Sequence, residues 1–252
     1  MRDEILVDTE PHEMYHLSFS ARKKYLSEED RQYYQLRRAE MFGMKTFSGP
    51  DDFVATCEYM ERSFPAYRTK NDRGMPPHAT VLYLSLNPHD SVVAYKKTME
   101  EYNNLLVAMA TSNKKNDQAF EQFNRVDSTF RKHLANSRSR KIWLDVDFDL
   151  YGRESLKSYV LEFAEELTDK GVRFYVISTR GGYHVLLDRS TIDYDFHSTV
   201  RQLNSEVESI TSKYGEVVVN KNGMVPCPGT YQAGGHFVRF VDMVELAEGI
   251  LL

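Results

Sequence analysis

Cysteine is nearly absent: Cys57 and Cys227 are the only two in 252 residues, far apart and in no metal-type pair. This argues against a disulfide, and we expect two buried free thiols in a reducing, cytoplasmic compartment. No long apolar run occurs, so no membrane span is expected. The opening residues, MRDEILVDTEPHEMYH, hold no apolar core of the signal-peptide kind. A basic excess is lacking too, with 32 Lys and Arg against 37 Asp and Glu and a formal net charge of -5. An acidic total does not advertise nucleic-acid binding, although a local basic groove can coexist with it. Internal repeats and low-complexity segments are also missing. What remains is an ordinary globular composition, 41% hydrophobic and 27% charged. The chain is long enough for one large domain or two small ones.

Periodicity organises the chain. ARKKYLSEEDRQYYQLRRAEMF, residues 21–42, reads as a charged helix, so residues 1–45 are expected to form a helical N-terminal arm. The body is expected over 46–252, with an N-terminal αβ subdomain over about 46–135 and a site-bearing subdomain over about 136–252. Phe53, Cys57, Met60 and Phe64 mark a helix after the Ser48-Gly49-Pro50 turn. ATVLYLS is a strand, and Val92, Tyr95, Met99, Tyr102, Leu106 and Met109 recur as the apolar face of the following helix. Later come a helix over Glu154–Lys170 ended by Gly171, strands VRFYVI and YHVLL around the STRGG turn, and a helix over 195–215. EVVVN and HFVRFVDM are the last strands. Strands both adjacent and separated by helices predict an α/β (α+β) fold.

Chemistry concentrates in three stretches. In WLDVDFD, residues 143–149, a strand would put Trp143, Asp145, Asp147 and Asp149 on one face and Leu144, Val146 and Phe148 on the other. Aligned carboxylates repel and are costly to bury unpaired. Asp145 and Asp147 therefore suit oxygen-ligated magnesium or manganese, while Asp149, at the strand exit, is expected to be peripheral. Taken alone, a DxD fits a plain solvent-facing acidic strand better than a metal site. The second stretch, STRGGYHVLL, offers Ser178, Thr179 and Arg180 for phosphate oxygens, Gly181 and Gly182 for close backbone approach, and His184 for a triphosphate contact. The third, NGMVPCPGTYQAGG, is either a surface loop or a rigid wall of the site with Thr230 available to a nucleotide or a strand. The basic run RKHLANSRSRK reads as a solvated surface, with phosphate contacts a second possibility.

Together these stretches resemble the archaeo-eukaryotic primase superfamily, in its phage- and plasmid-type primase or primase-polymerase branch. Asp145-Val146-Asp147 is similar to its first motif, Gly182-Tyr183-His184 to its second, and Pro228-Gly229-Thr230 to the loop beside its third; the likeness spans roughly residues 80 to 242. The resemblance implies a primase-like core with a mixed, RRM-like sheet flanked by helices. It implies catalytic metal ligands Asp145, Asp147 and Asp242, with Asn220 the alternative third position. Ser178, Arg180, Gly182 and His184 would bind nucleotide. Two Mg2+ or Mn2+ ions would serve the attack of a 3′-hydroxyl on an α-phosphate, and no zinc is expected, since no Cys/His cluster occurs. The implied partners are a single-stranded DNA template, nucleoside triphosphates and, optionally, a separately encoded replicative helicase, in a bacterial or phage-infected cell. Asn220 keeps open a non-catalytic nucleic-acid-binding relative, and clustered carboxylates keep open a metal-dependent nuclease.

Overall fold

The computed structural model describes residues 4–34, 40–68, 73–111, 123, 125–149, 157–192, 216–220, 223–232 and 235–251. The predicted helix over 195–215 lies outside them. Strict alternation builds the first strand, β1 (Glu13–Ala21): Tyr15, Leu17, Phe19 and Ala21 are buried in apolar clusters, with His16, Ser18 and Ser20 between them. It pairs with β2 (Glu40–Phe47), β3 (Thr80–Ser85) and the short β4 (His89–Asp90), all antiparallel. Strand β9 (Met224–Pro226) returns late in the chain to flank β3.

Residues 1–45 are thus not a helical arm. They contain the central strand of a sheet and the start of its neighbour, with only a 3-10 turn at Lys23–Tyr25 and a short helix, α1 (Glu28–Tyr34), between. The charged run that suggests one long helix buries no residue fully over α1, where Tyr34 alone packs against the Ala21, Leu26 and Ala79 cluster, and the chain is already in β2 by Glu40. Helix α2 (Gly49–Ser63) forms as expected, with Gly49 at φ 68° and Pro50 in its first turn. Phe53 and Met60 are fully buried against Leu17, Phe47 and Leu84, each contributing about 1.5–3 kcal/mol.

The long helix α3 (Ser91–Thr111) corrects the expected packing face. Ala94, Thr98 and Tyr102 are buried, while Val92, Tyr95, Met99 and Leu106 are exposed. Small side chains admit the close approach: Ala94 packs with Met44 and with Leu134 of α4 (Val126–Ala135).

The second sheet carries the acidic stretch. Its strands are β5 (Trp143–Asp149), β6 (Phe174–Thr179), β7 (Gly182–Asp188), β8 (Glu216–Asn220) and β12 (Arg239–Val241), in the order β12-β6-β7-β5-β8. Every pairing is antiparallel, so the expected mixed sheet is corrected. The helix α5 (Lys157–Asp169) carries the chain from β5 to a strand of the same direction, but β7 occupies the slot between the two. Gly171, at φ 68°, ends α5, with Val172 N donating to Leu167 O at 2.9 Å. One face of this sheet (Leu144, Val146, Phe148, Val185, Leu187) is covered by Val160, Phe163 and Leu167 of α5 and by Leu246 of the last helix, α6 (Met243–Leu251). The other face meets the first sheet through Trp143, Ile177 and Leu186.

The architecture is α+β, two antiparallel sheets with helices packed on them. A two-stranded ribbon, β10 (Tyr231–Gln232) and β11 (His236–Phe237), completes the described strands. Among the described residues, no helix is long and apolar enough to cross a membrane.

Candidate active site

The half of β5 not needed for the core carries the carboxylates. Cross-strand register sets Asp147 opposite His184 and Asp149 opposite Gly182, while Ile177 and Thr179 of β6 continue the same two levels. Asp145, Asp147, Asp149, Thr179 and His184 therefore share one face, as alternation on β5 predicts.

Asp145 is fully buried, and His184 Nδ1 donates to its Oδ1 at 3.0 Å and its Oδ2 at 3.2 Å. Asp147 lies on the other side of the ring, its Oδ1 3.6 Å from His184 Nε2. Burial opposes a charge on this imidazole, but the adjacent Asp145 carboxylate outweighs it and pushes the pKa up to about 9. Burial also raises Asp147, with the His184 imidazolium pulling the other way.

A cavity of about 410 Å³ opens over this face. Asp147, Asp149, Thr179, Gly181 and His184 line it from the second sheet, and Ser20, Arg22, Lys24, Tyr25 and Tyr83 from the first. Asp149 is therefore not peripheral. Lys24 Nζ donates to its Oδ2 at 2.7 Å, and its Oδ1 is buried with no partner among the described residues. Gly181 leaves room for this carboxylate, because a Cβ there would stand 2.9 Å from Asp149 Oδ1. On the opposite wall, the Arg22 Nε is buried and likewise unpartnered among the described residues. Its guanidinium stacks over Tyr83 at 5.3 Å. An orphan acceptor and an orphan donor in one cavity are costly unless a ligand or ordered water satisfies them.

Other expected site residues stand elsewhere. Ser178 registers with Tyr183 and falls on the face covered by α5, so Thr179 is the hydroxyl that reaches the cavity. Arg180 and Gly182 flank Gly181 in the hairpin turn. Arg180 is exposed, its backbone N–H bound to Gln232 Oε1 at 3.0 Å and its guanidinium 4.5 Å over the Tyr25 ring. Gly182 contributes its carbonyl, which accepts from Thr179 Oγ1 at 3.1 Å. Thr230 donates to Cys227 O at 2.7 Å, a structural bond inside its loop. Asp242 follows the edge strand β12, three strands from β5, roughly 14 Å at ordinary strand spacing. It is exposed and caps α6, its Oδ1 accepting from Glu245 N at 2.8 Å. Asn220, by contrast, is the backbone register partner of Asp145 on β8.

Sequence reasoning missed Ser20, Arg22, Lys24 and Tyr25. The alternation of YHLSFSA just before RKKY was the available signal: a half-buried strand running into a basic turn.

The donor set is suited to a hard cation. Asp147 and Asp149 are the carboxylates of the cavity wall; Asp149 Oδ2 is held by Lys24, and its buried Oδ1 has no protein donor among the described residues. No cluster of three or more His, Cys, Asp or Glu groups able to hold a metal is present among the described residues, so a bound ion would take its remaining ligands from substrate or water. No protein-family model matches this chain, and neither does any curated protein or solved structure.

Proposed function

We propose that the chain is a primase or primase-polymerase of the archaeo-eukaryotic type, transferring nucleotides from nucleoside triphosphates onto a strand templated by single-stranded DNA. One observation carries the reading. The cavity gathers carboxylates (Asp147, Asp149) and cations (Arg22, Lys24) on its walls, and the buried Asp149 Oδ1 and Arg22 Nε have no protein partner among the described residues. A magnesium- or manganese-bound triphosphate presents both complements at once. The strand order of the second sheet, with the βαββ run of β5 to β7 followed by β8, also accords with an RRM-like core.

In this reading Asp147 and Asp149 hold divalent ions, which when bound supply positive charge to the attacking and leaving oxygens. Arg22, Lys24 and Thr179 orient the triphosphate, and Gly181 lets it approach the β6–β7 turn. His184, kept charged by Asp145, offsets the negative charge of the acidic strand without taking up a proton during the reaction. A 3′-hydroxyl, giving up its proton to solvent, then attacks the α-phosphorus, the bond from that phosphorus to the bridging oxygen breaks and pyrophosphate leaves. A non-catalytic nucleic-acid-binding relative is the second reading, favoured by the distance of Asp242 from the carboxylates. A nuclease would leave the cations Arg22 and Lys24 without a stated role.

Calorimetric titration of a nucleoside triphosphate with manganese tests the proposal. Saturable binding is expected, weakened at least tenfold in Asp147→Asn and in Arg22→Gln, since charge-assisted bonds to phosphate contribute about 1.5–3 kcal/mol each. Binding that ignores both substitutions would remove the cavity from the reaction.

A further inference from the structure

The ribbon formed by β10 and β11 stands beside the cavity and has a feature that the nucleotide reading does not use. Its residues alternate. Gln232 points inward and is 2% exposed, accepting from Arg180 N at 3.0 Å and donating to the Tyr25 hydroxyl at 3.2 Å. Tyr231 points outward and is 70% exposed, and its register partner Phe237 is 43% exposed. Their rings form a tilted pair, centroids 5.2 Å apart and planes at 58°.

The pair does not ride on a loose tip. Val238 N donates to Thr230 O at 2.9 Å and Gly229 N to Val238 O at 2.7 Å, while Cys227 N donates to Leu82 O at 2.8 Å in the first sheet. The base of the ribbon is thus bonded to the framework that holds the cavity. Two outward aromatic rings on an anchored ribbon keep apolar faces in water that folding alone would cover. Charge distinguishes the occupant. Arg180 is tied to the ribbon by its N–H to Gln232 Oε1 at 3.0 Å, with its guanidinium on His78 O at 3.3 Å, and Arg239 lies two residues beyond Phe237, its guanidinium paired with Glu245 at 2.7 Å. An apolar protein partner has no use for flanking guanidiniums, whereas a strand with stacked bases and a phosphate backbone uses both rings and cations.

We propose that Tyr231 and Phe237 form a stacking platform for single-stranded nucleic acid, with Arg180 and Arg239 beside its phosphates and Gln232 coupling the platform to the cavity wall. This rests on the reading of the cavity as a nucleotide site, and it assigns the strand a location outside that cavity. Neither ring is needed for the core, so substitution leaves the fold intact.

The test is fluorescence anisotropy of a labelled oligothymidylate, without metal, on the full chain. Tyr231→Ala with Phe237→Ala is expected to weaken binding roughly tenfold or more, and Tyr231→Trp to retain it. Arg239→Gln is expected to reduce the salt slope by about 0.7. In parallel, manganese–triphosphate titration of the double variant should match the unsubstituted chain. If the double variant holds the oligonucleotide as tightly as the unsubstituted chain, the platform is overturned while the cavity reading stands. If it loses the oligonucleotide and neither protein takes up manganese–triphosphate, the platform stands and the cavity reading falls. An unsubstituted chain that binds no oligonucleotide, or whose self-association is abolished by the double variant, also overturns the proposal.

Discussion

His184 donates from Nδ1 to the Asp145 carboxylate at 3.0 Å, deep in the sheet, with Asp145 fully buried. The innermost acid of β5 therefore positions an imidazolium, and the two acids beyond it, Asp147 and Asp149, line the cavity. The pair has a direct consequence for pH. The folded pKa of His184, about 9, lies above the ordinary histidine value, so its stabilisation is fully present below about pH 6.5 and is lost as pH rises through about 9. Nitrogen-15 NMR should show a charged ring at pH 7.5. In Asp145→Asn the same resonance should titrate well below 9, with a loss of stability of about 3–5 kcal/mol at neutral pH, as expected for breaking a buried pair. A ring that titrates near 6.5 in the unsubstituted chain contradicts this assignment.

Asp149 lines the cavity and Asp242 caps α6, so the proposed metal site draws on Asp149 in place of Asp242. Asp149→Asn should reduce manganese affinity severalfold or more. Asp242→Ala should leave it unchanged and cost about 1 kcal/mol through loss of the α6 cap. Manganese titration by electron paramagnetic resonance, paired with thermal melts, separates the two effects, and an affinity loss in Asp242→Ala would return that residue to the site.

Face assignment predicts a contrast between neighbours on β6. Thr179→Val should weaken triphosphate binding, and Ser178→Ala should not, because only Thr179 lines the cavity. Gly181→Ala should act like a displaced Asp149, since the added methyl meets its carboxylate at 2.9 Å. Equal losses in Ser178→Ala and Thr179→Val would show that β6 presents both residues to the ligand.

Acid should attack the first sheet. Burial holds His16 at about 3 and His89 at about 4, their rings 4.8 Å apart. The unfolded chain takes up these protons near pH 6.5 and the folded chain does not, so stability falls as pH drops from about 6.5 toward 4. Glu13 adds a second loss at lower pH. Its burial favours the neutral form, but Arg140 holds it at about 2, and that stabilisation is present above its ordinary 4.5 and disappears as pH falls through about 2. Urea unfolding at pH 8, 6 and 4 should show a shallower decline for His16→Phe than for the unsubstituted chain. Identical pH slopes would contradict the buried neutral pair.

Much of this was legible in the residues, for a physical reason in each case. WLDVDFD alternates strictly, so its shared carboxylate face could be read directly, and the alternation of YHVLL puts His184 on the opposite face from Tyr183, Val185 and Leu187. Helices α2 and α5 carry apolar spacing and a terminating or initiating glycine. Three things were not legible. Ser178 and Thr179 differ by one residue, and only the register against Gly182 and Tyr183 decides which faces the cavity. Asp242 follows an apolar strand as a motif aspartate would, but the edge position of β12 is a property of the whole sheet. Arg22, Lys24 and Tyr25 reach the site only because β1 pairs with strands far along the chain, and the charged sequence after it masked a strand whose alternation was there to see.

The most direct test of the account is primer-independent nucleotide incorporation on single-stranded DNA with manganese, comparing the unsubstituted chain with Asp147→Ala. The account predicts labelled products from the unsubstituted chain and none from Asp147→Ala, with the fold of both preserved. Products of equal yield from both, or none from the unsubstituted chain with any divalent ion or nucleotide type, would contradict it.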